Sequence, residues 1–199
     1  MPSGRSGMVR VVSSVGQKEA ILAVADRLGV RAMTDTDMAE VATVGDIDVP
    51  DGSPQWRIEA AFLRALAPKH ILFLCVANSA RSQLAEGLAR ELAPEGVKIS
   101  SAGSVPTSVR PEAVAALAEV DIDIRHHRST GMGDVQRPVD AVITLCAEEV
   151  CPVWLEDAWR VHWGLPDPAA ATGSDEEQLD AFRVVRDELR SRLGVLFDA

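Results

Sequence analysis

From residue 70 onward, the chain alternates between two patterns of hydrophobic and polar positions. Short apolar or β-branched segments lie at 70–74, 97–101, 141–145 and 159–163, and each has the length and composition of a strand. The first and third are continuous apolar runs, as in strands buried on both faces of a parallel sheet. Segments with helical spacing follow three of the four. This alternation predicts an α/β fold, a four-stranded open parallel sheet flanked by helices.

Three amphipathic segments supply the predicted helices of this part. Leu84 and Leu88 lie on one face of the first, and residues 111–120 form the second. The third begins at Ser174, with Glu177 three residues later. That pair is a capping box, in which each side chain bonds to the backbone N–H of the other residue.

The beginning of the chain has helical periodicity only. Apolar residues at helical spacing predict two short helices, within 21–28 and within 38–42. A third helix is predicted over 56–66, because Ser53 is a good N-cap and Pro54 suits the first helical position. We therefore expect a small N-terminal helical extension before the sheet.

The predicted boundary lies near residue 68. We assign residues 1–68 to the helical extension, as a cap or a dimerisation module that would form a homodimer through its helices. Residues 69–199 form the α/β catalytic domain.

Charge and composition narrow the class of protein. The net charge of −10 and the absence of a basic stripe argue against nucleic-acid binding. No apolar run reaches the ~18 residues that a membrane helix needs, so no membrane partner is predicted. The first residues lack the apolar region of a secretory signal. We therefore expect a cytoplasmic protein.

The segment 75–82 carries the candidate chemistry. It is a cysteine, five residues, Arg81 and Ser82, and it connects the first predicted strand to a helix. Successive N–H groups that open a helix form an anion cradle, and the arginine adds a planar fork of donors. The same positive field favours the thiolate of Cys75, to which Ser82 could donate a hydrogen bond. Asn78 tolerates the left-handed backbone angles of a tight loop.

The oxyanion-binding residues are predicted to be Val76, Ala77, Asn78, Ser79, Ala80, Arg81 and Ser82. The alternative is that Cys75 is simply a small buried core residue. Its position between a strand and a helix favours the catalytic interpretation over that alternative.

Two further cysteines, Cys146 and Cys151, follow the third predicted strand. In a regular helix, residues five apart are separated by ~7.5 Å along the axis, which is too far for a disulfide. A bond between them therefore requires a flexible or unwound segment. Two core cysteines or a metal-binding pair are the alternatives, although no histidine or further cysteine lies at ligand spacing.

Residues 74–86 resemble the phosphate loop of the thioredoxin-coupled arsenate reductases, which belong to the low-molecular-weight protein tyrosine phosphatase superfamily. The resemblance extends from about His70 to the C-terminus. It includes the segments 101–103, 120–124, 142–146 and 162–169. It implies that Cys75 is the nucleophile, that Arg81 holds the oxyanion and that Asp167 is the general acid.

The resemblance also implies a reaction. Cys146 and Cys151 would be the second and third thiols of a relay that reduces arsenate to arsenite in arsenic detoxification. Phosphate or sulfate would compete as oxyanions, and thioredoxin or another thiol donor would reduce the resulting redox-active disulfide. No organic cofactor is needed.

Some members of this family bind potassium near the loop. The residues that match part of that site are Asn78, Glu86 and Ser101, but Thr130 stands where the pattern has an aspartate. We therefore predict no metal site.

Two other functions remain open at this point. A phosphotyrosine phosphatase needs only the loop, Arg81 and an acid, but such enzymes usually carry aromatic residues after the Asp-Pro pair. Here Asp167 and Pro168 precede three alanines, and the chain has no tyrosine. The second alternative is a non-catalytic sensor of oxyanions or of redox state.

Overall fold

The computed structural model describes residues 8–9, 32–33, 47–48, 50, 52–147 and 151–199. The helices predicted within 21–28 and 38–42 lie outside the described residues. The described α-helices are α1 (Gln55–Leu66), α2 (Arg81–Leu92), α3 (Pro111–Ala118) and α4 (Asp175–Phe197). The strands are β1 (Met8–Val9), β2 (Ala32–Met33), β3 (Ile47–Asp48), β4 (His70–Cys75), β5 (Lys98–Gly103), β6 (Ala141–Cys146) and β7 (Ala158–Leu165).

The predicted sheet is confirmed, with its four parallel strands in the order β7-β6-β4-β5. The chain runs from β4 outward to β5 and then returns to the other side of β4 to form β6. This reversal creates a crevice at the carboxyl ends of the strands, where open α/β sheets bind ligands. Cys75 and Cys146 are the last residues of the neighbouring strands β4 and β6.

Each face of the sheet has its own core. Because strand side chains alternate, Ile71 and Phe73 face the four described α-helices, whereas Leu72 and Leu74 face the other side. That second, smaller core is closed by apolar residues of the loops around β6. Its loop residues are Val135, Val139 and Trp154.

The end of the extension is part of the larger core. Phe62 of α1 is fully buried and its ring packs edge-on against Trp159 of β7, with the ring centroids 5.2 Å apart. Leu63 is also fully buried. A cut after residue 68 would therefore remove part of the core and expose the apolar face of β7 and α4.

The described parts of the extension are not only helical. Strand β2 pairs antiparallel with β7 at the edge of the main sheet, and β1 pairs antiparallel with β3. The division at residue 68 stays a prediction.

The predicted starts of two helices can be compared with the structure, and one of them differs. The capping box predicted at Ser174 and Glu177 is present. At the start of α1, Pro54 itself occupies the N-cap position that we predicted for Ser53, and no side chain caps the helix. Among the described residues, no helix is long and apolar enough to cross a membrane.

Candidate active site

The loop 75–82 lies at the carboxyl end of β4, in the crevice of the sheet, as predicted. The carbonyl oxygens of Val76, Ala77 and Ser79 accept hydrogen bonds of 2.9 to 3.0 Å from backbone N–H groups of the segment 104–110. In a trans peptide the next N–H points away from the carbonyl. These contacts therefore turn the loop's N–H groups inward, where they can bind an anion.

Two backbone features make this tight loop feasible. Asn78 has φ = 47°, the left-handed conformation that its sequence position predicted. Gly103, the last residue of β5, lies directly behind the loop. A Cβ at Gly103 would stand only 2.8 Å from Asn78 N and 3.1 Å from the carbonyl carbon of Ala77. Only glycine leaves the loop in place here.

The sulfur of Cys75 lies inside this loop, and the residue is only 2% exposed. The backbone N–H of Asn78 donates to Cys75 Sγ at 3.2 Å, and Ser82 Oγ lies 2.9 Å from the same sulfur. The backbone N–H can only donate to the sulfur, whereas in the second contact either the hydroxyl or the thiol can be the donor. The contact predicted between Ser82 and Cys75 is thus present.

Arg81 is held in a fixed orientation at the mouth of the loop. Its Nη1 donates to the carbonyl oxygen of Leu165, the last residue of β7, at 3.1 Å. Its Nη2 lies 3.5 Å from Asp167 Oδ1, and the arginine side chain is 4% exposed. The loop, the arginine and the carboxyl group are therefore assembled at one site, although they come from two distant parts of the sequence.

Asp167 occupies the N-cap of a short 3₁₀ turn, Pro168–Ala170, and its Oδ1 accepts a hydrogen bond of 3.3 Å from Ala169 N. Its side chain is 33% exposed. This position lets the carboxyl group reach both solvent and the space in front of Arg81, as a proton donor requires.

The second cysteine ends the strand next to that of Cys75, and the third contacts the second. Cys146 is 1% exposed, and burial is the main reason that its pKa is raised to about 12, followed by its hydrogen bond with Cys151. The positive charge of Arg81 opposes this shift, and the nearby Cys75 adds to it. At neutral pH Cys146 is therefore a protonated thiol close to both other cysteines.

Cys151 is the more accessible end of the pair. It is partly exposed, and its Sγ donates to the carbonyl oxygen of Cys146 at 3.5 Å. Residues 148–150 lie outside the described residues. All three cysteines are free thiols. Solvent exposure thus increases from Cys75 and Cys146 to Cys151.

Polar residues behind the loop have roles that the sequence analysis missed. The three residues that resemble part of a potassium site do lie together, but the guanidinium of Arg90 forms an ion pair with Glu86. Gln83 and His127 contact each other in the same region, and His127 also contacts Arg90. The spacing of Glu86 and Arg90, four residues apart in a helix, was the available signal.

Comparison with known proteins agrees with this geometry. The arsenate reductase of Halalkalibacterium halodurans is 43% identical over 128 residues, which cover 63% of this chain and 92% of that protein. The crystal structure of an arsenate reductase from Archaeoglobus fulgidus has a TM-score of 0.56 and 29% identity, and covers 65% of this chain and 99% of its own. A solved arsenate reductase in its phosphate binding state has a TM-score of 0.54 and 33% identity, with coverages of 65% and 97%.

A family model for the low molecular weight phosphotyrosine protein phosphatases matches residues 70–199, which contain every residue of the site. This chain belongs to the low molecular weight phosphotyrosine protein phosphatase family.

Proposed function

We propose that this protein is an arsenate reductase that uses its three cysteines as a thiol relay. One observation carries the proposal. Next to an oxyanion loop, two buried thiols, Cys75 within the loop and Cys146, are followed by a third thiol, Cys151, that is partly exposed. A phosphatase requires only the first. The relatives named arsenate reductase support the same substrate.

The first step is nucleophilic attack on arsenate. The inward N–H groups and Arg81 bind the tetrahedral oxyanion, as phosphate or sulfate would also bind. The Cys75 thiolate forms a bond to arsenic, and one hydroxide leaves as water with a proton from Asp167. Arsenic is still As(V) in this covalent intermediate.

The second step reduces arsenic. Cys146 attacks Cys75 Sγ while its proton passes to an oxygen of the departing arsenite, and the S–As electron pair passes to arsenic. Arsenite, As(III), leaves, and a Cys75–Cys146 disulfide forms. Cys151 then attacks Cys146 and releases Cys75 as a thiolate. The two electrons taken from the thiols equal the two electrons gained by arsenic.

The final disulfide lies where a second protein can reach it. In the segment that follows Cys151, Pro152 and Trp154 are buried, whereas Val153 and Leu155 are 60% and 87% exposed. The exposed side therefore presents a sulfur followed by two apolar side chains. This surface suits a dithiol protein such as thioredoxin, and we place the reaction in the cytoplasm, where such thiols are kept reduced.

The test is reduction of arsenate by the full-length chain, with thioredoxin and its reductase as the electron source. We expect many turnovers for the wild type. We expect Cys151→Ser to complete one turnover and then stall with a Cys75–Cys146 disulfide, which mass spectrometry of the digested protein would detect. Repeated turnover by that variant would remove Cys151 from the relay.

Hydrolysis of an aryl phosphate is the matched assay for the alternative phosphatase function. It needs Cys75, Arg81 and Asp167 but neither of the other cysteines. Hydrolysis without arsenate reduction would show that the enzyme is a phosphatase. Single-turnover oxidation without renewal by any thiol donor would instead favour a redox sensor.

We further propose that residues 1–68 act as a cap on residues 69–199. The buried contact between Phe62 and Trp159 supports a cap more than an independent module. Light scattering of the intact chain tests the alternative, in which the extension forms a homodimer.

A further inference from the structure

Behind the loop, six side chains form a closed ring of hydrogen bonds and one ion pair, which we call the support ring. Its members are Arg90, Glu86, Ser101, Asn78, Gln83 and His127. Arg90 is the point where the two arms of the ring begin, and Asn78, in the loop, is where they meet.

The first arm runs through a buried carboxylate. Arg90 Nη2 forms an ion pair with Glu86 Oε1, and Glu86 Oε2 accepts a hydrogen bond from Ser101 Oγ. Ser101 Oγ in turn accepts from Asn78 Nδ2 at 2.7 Å. Burial raises the pKa of Glu86, and the Ser101 hydrogen bond and the Arg90 charge oppose that shift. Arg90 thus opposes the neutralisation of this carboxyl group, to which Ser101 donates.

The second arm runs through a neutral histidine. Burial, followed by the nearby Arg90 charge, lowers the pKa of His127 to about 4. Its Nε2 faces Arg90 Nη1 at 3.2 Å and can only accept there, so its proton is on Nδ1, 2.9 Å from Gln83 Oε1. Gln83 then turns its Nε2 toward Asn78 and donates to both oxygens of that residue at 3.1 Å.

The two arms and the backbone N–H of Thr130 together fix the orientation of the Asn78 side chain. The backbone N–H of Thr130 is an unambiguous donor, and it bonds Asn78 Oδ1 at 2.7 Å. Nδ2 must therefore point the other way, where it donates to Ser101 and, at 2.8 Å, to Ser82 Oγ. Since Ser82 accepts this bond, its own hydroxyl proton is available for Cys75 Sγ at 2.9 Å.

We infer that Arg90 is a positioning residue for the nucleophile: through the support ring, it holds Asn78 so that Ser82 donates its proton to the Cys75 sulfur. This inference rests on the proposed function, in which Cys75 attacks the oxyanion.

A simple surface ion pair would not have this role. Pairs four residues apart on exposed helix faces contribute little to stability, and their loss leaves distant groups unchanged. Here the Arg90 side chain is 48% exposed, but the Glu86 side chain is only 11% exposed and leads by hydrogen bonds to the nucleophile. Removing Arg90 leaves a buried carboxylate without its cation.

The test measures Cys75 alone, in a Cys146→Ser/Cys151→Ser background. The rate of alkylation by iodoacetamide is followed against pH, because only the thiolate reacts. We expect Arg90→Met to move this profile about one pH unit higher, with Arg90→Lys between the two. Arg125→Met is the matched control, since that arginine pairs with Asp123 at the surface. It should leave the profile unchanged.

A second variant distinguishes an effect transmitted by the hydrogen bonds of the support ring from a direct electrostatic effect on Cys75. Glu86→Gln removes a negative charge, which by simple electrostatics would stabilise the Cys75 thiolate and move the profile to lower pH. In the support ring, however, the amide oxygen of glutamine would turn to Arg90 and its NH₂ group would face Ser101. Two donors would then compete for the Ser101 oxygen, and the order of hydrogen bonds would break. We expect the profile to move to higher pH.

Each result decides the question. An upward shift in both Arg90→Met and Glu86→Gln supports the inference. An unchanged profile in either folded variant, or a downward shift in Glu86→Gln, overturns it, even where thermal stability falls. If Arg90→Met does not fold, Arg90→Lys and Glu86→Gln provide the same test. Alkylation needs no arsenate, so a wild type that fails to reduce arsenate would refute the proposed function and leave this measurement valid.

Discussion

The loop 75–82 and the segment that carries Cys146 and Cys151 differ in how firmly their groups are held. In the loop 75–82, backbone carbonyls accept hydrogen bonds from the segment 104–110. The side chains of Asn78 and Ser82 are fully buried. In the segment after β6, the contact of the Cys151 sulfur is a long bond to a carbonyl, and this cysteine is partly exposed. A cradle for charge gains from donors that are fixed before the reaction. In the proposed relay the Cys146 sulfur bonds first to Cys75 and then to Cys151, and this change of partner requires the sulfurs to move.

The largest expected effect comes from replacing the cysteine inside the loop. Cys75→Ser keeps the shape of the loop but replaces the thiol with a hydroxyl, which is a much weaker nucleophile. We expect complete loss of arsenate reduction, with oxyanion binding retained because the N–H groups and Arg81 are unchanged. Turnover is measured against a buffer blank, and binding by calorimetry with phosphate. Residual turnover by this variant would exclude Cys75 as the nucleophile.

The next effect concerns Asp167, the proposed proton donor. Asp167→Asn keeps the capping bond to Ala169 N but cannot supply a proton to the leaving hydroxide. General acids contribute ~100- to 10,000-fold, so kcat should fall by about that factor. Rapid quench of the first turnover is the measurement, with phosphate affinity as the control. An unchanged rate would mean that water or another group supplies the proton.

The two regions also differ in how far the sequence could predict them. The loop could be predicted because a strand, a cysteine, an arginine and a helix follow one another locally, and each has its own signal. The strand order and the contact of Arg81 with Leu165 could not, because they join residues far apart in the sequence. Neither could the support ring, since the side chain of His127 reaches Gln83 only in the folded chain.

The extension shows the same limit. Helix α1 was predicted from its periodicity and from the proline at its start. Its place in the main core could not be predicted, because an apolar helix face does not say which partner it packs against. The buried contact of Phe62 with Trp159 is therefore known only from the structure.

A smaller effect tests whether the loop is as rigid as the comparison requires. Gly103→Ala would place a Cβ 2.8 Å from Asn78 N, and the loop must shift to make room. Misplacement of a reacting group by ~1 Å can cost ~100-fold, so we expect kcat/KM to fall by about 10- to 100-fold. Gly133→Ala is the matched control, because nothing lies within 4 Å of that Cβ position. Equal activity of the two variants would show that the loop adapts easily.

The last prediction concerns a buried carboxyl group outside both regions, which we expect to affect stability but not catalysis. Glu59 of α1 is 5% exposed, and burial raises its pKa to about 7, against the opposing effects of Gln55 and Arg192. In the unfolded chain the same group titrates near 4.5. The folded protein therefore binds this proton more tightly, and its stability decreases as pH rises between these two values.

Glu59→Gln should remove that decrease without changing turnover, because the groups that act on this carboxyl are Gln55, Arg192 and Trp163, none of which belongs to the proposed site. Above pH 7 the variant should be more stable than the wild type, by on the order of 2 kcal/mol, whereas at low pH the two should be equal. Urea unfolding at several pH values is the measurement, with the exposed helical carboxylate Glu91→Gln as control. A wild type whose stability is constant from pH 5 to 8 would contradict the assignment. A change in arsenate turnover per folded molecule would show that α1 influences the loop after all.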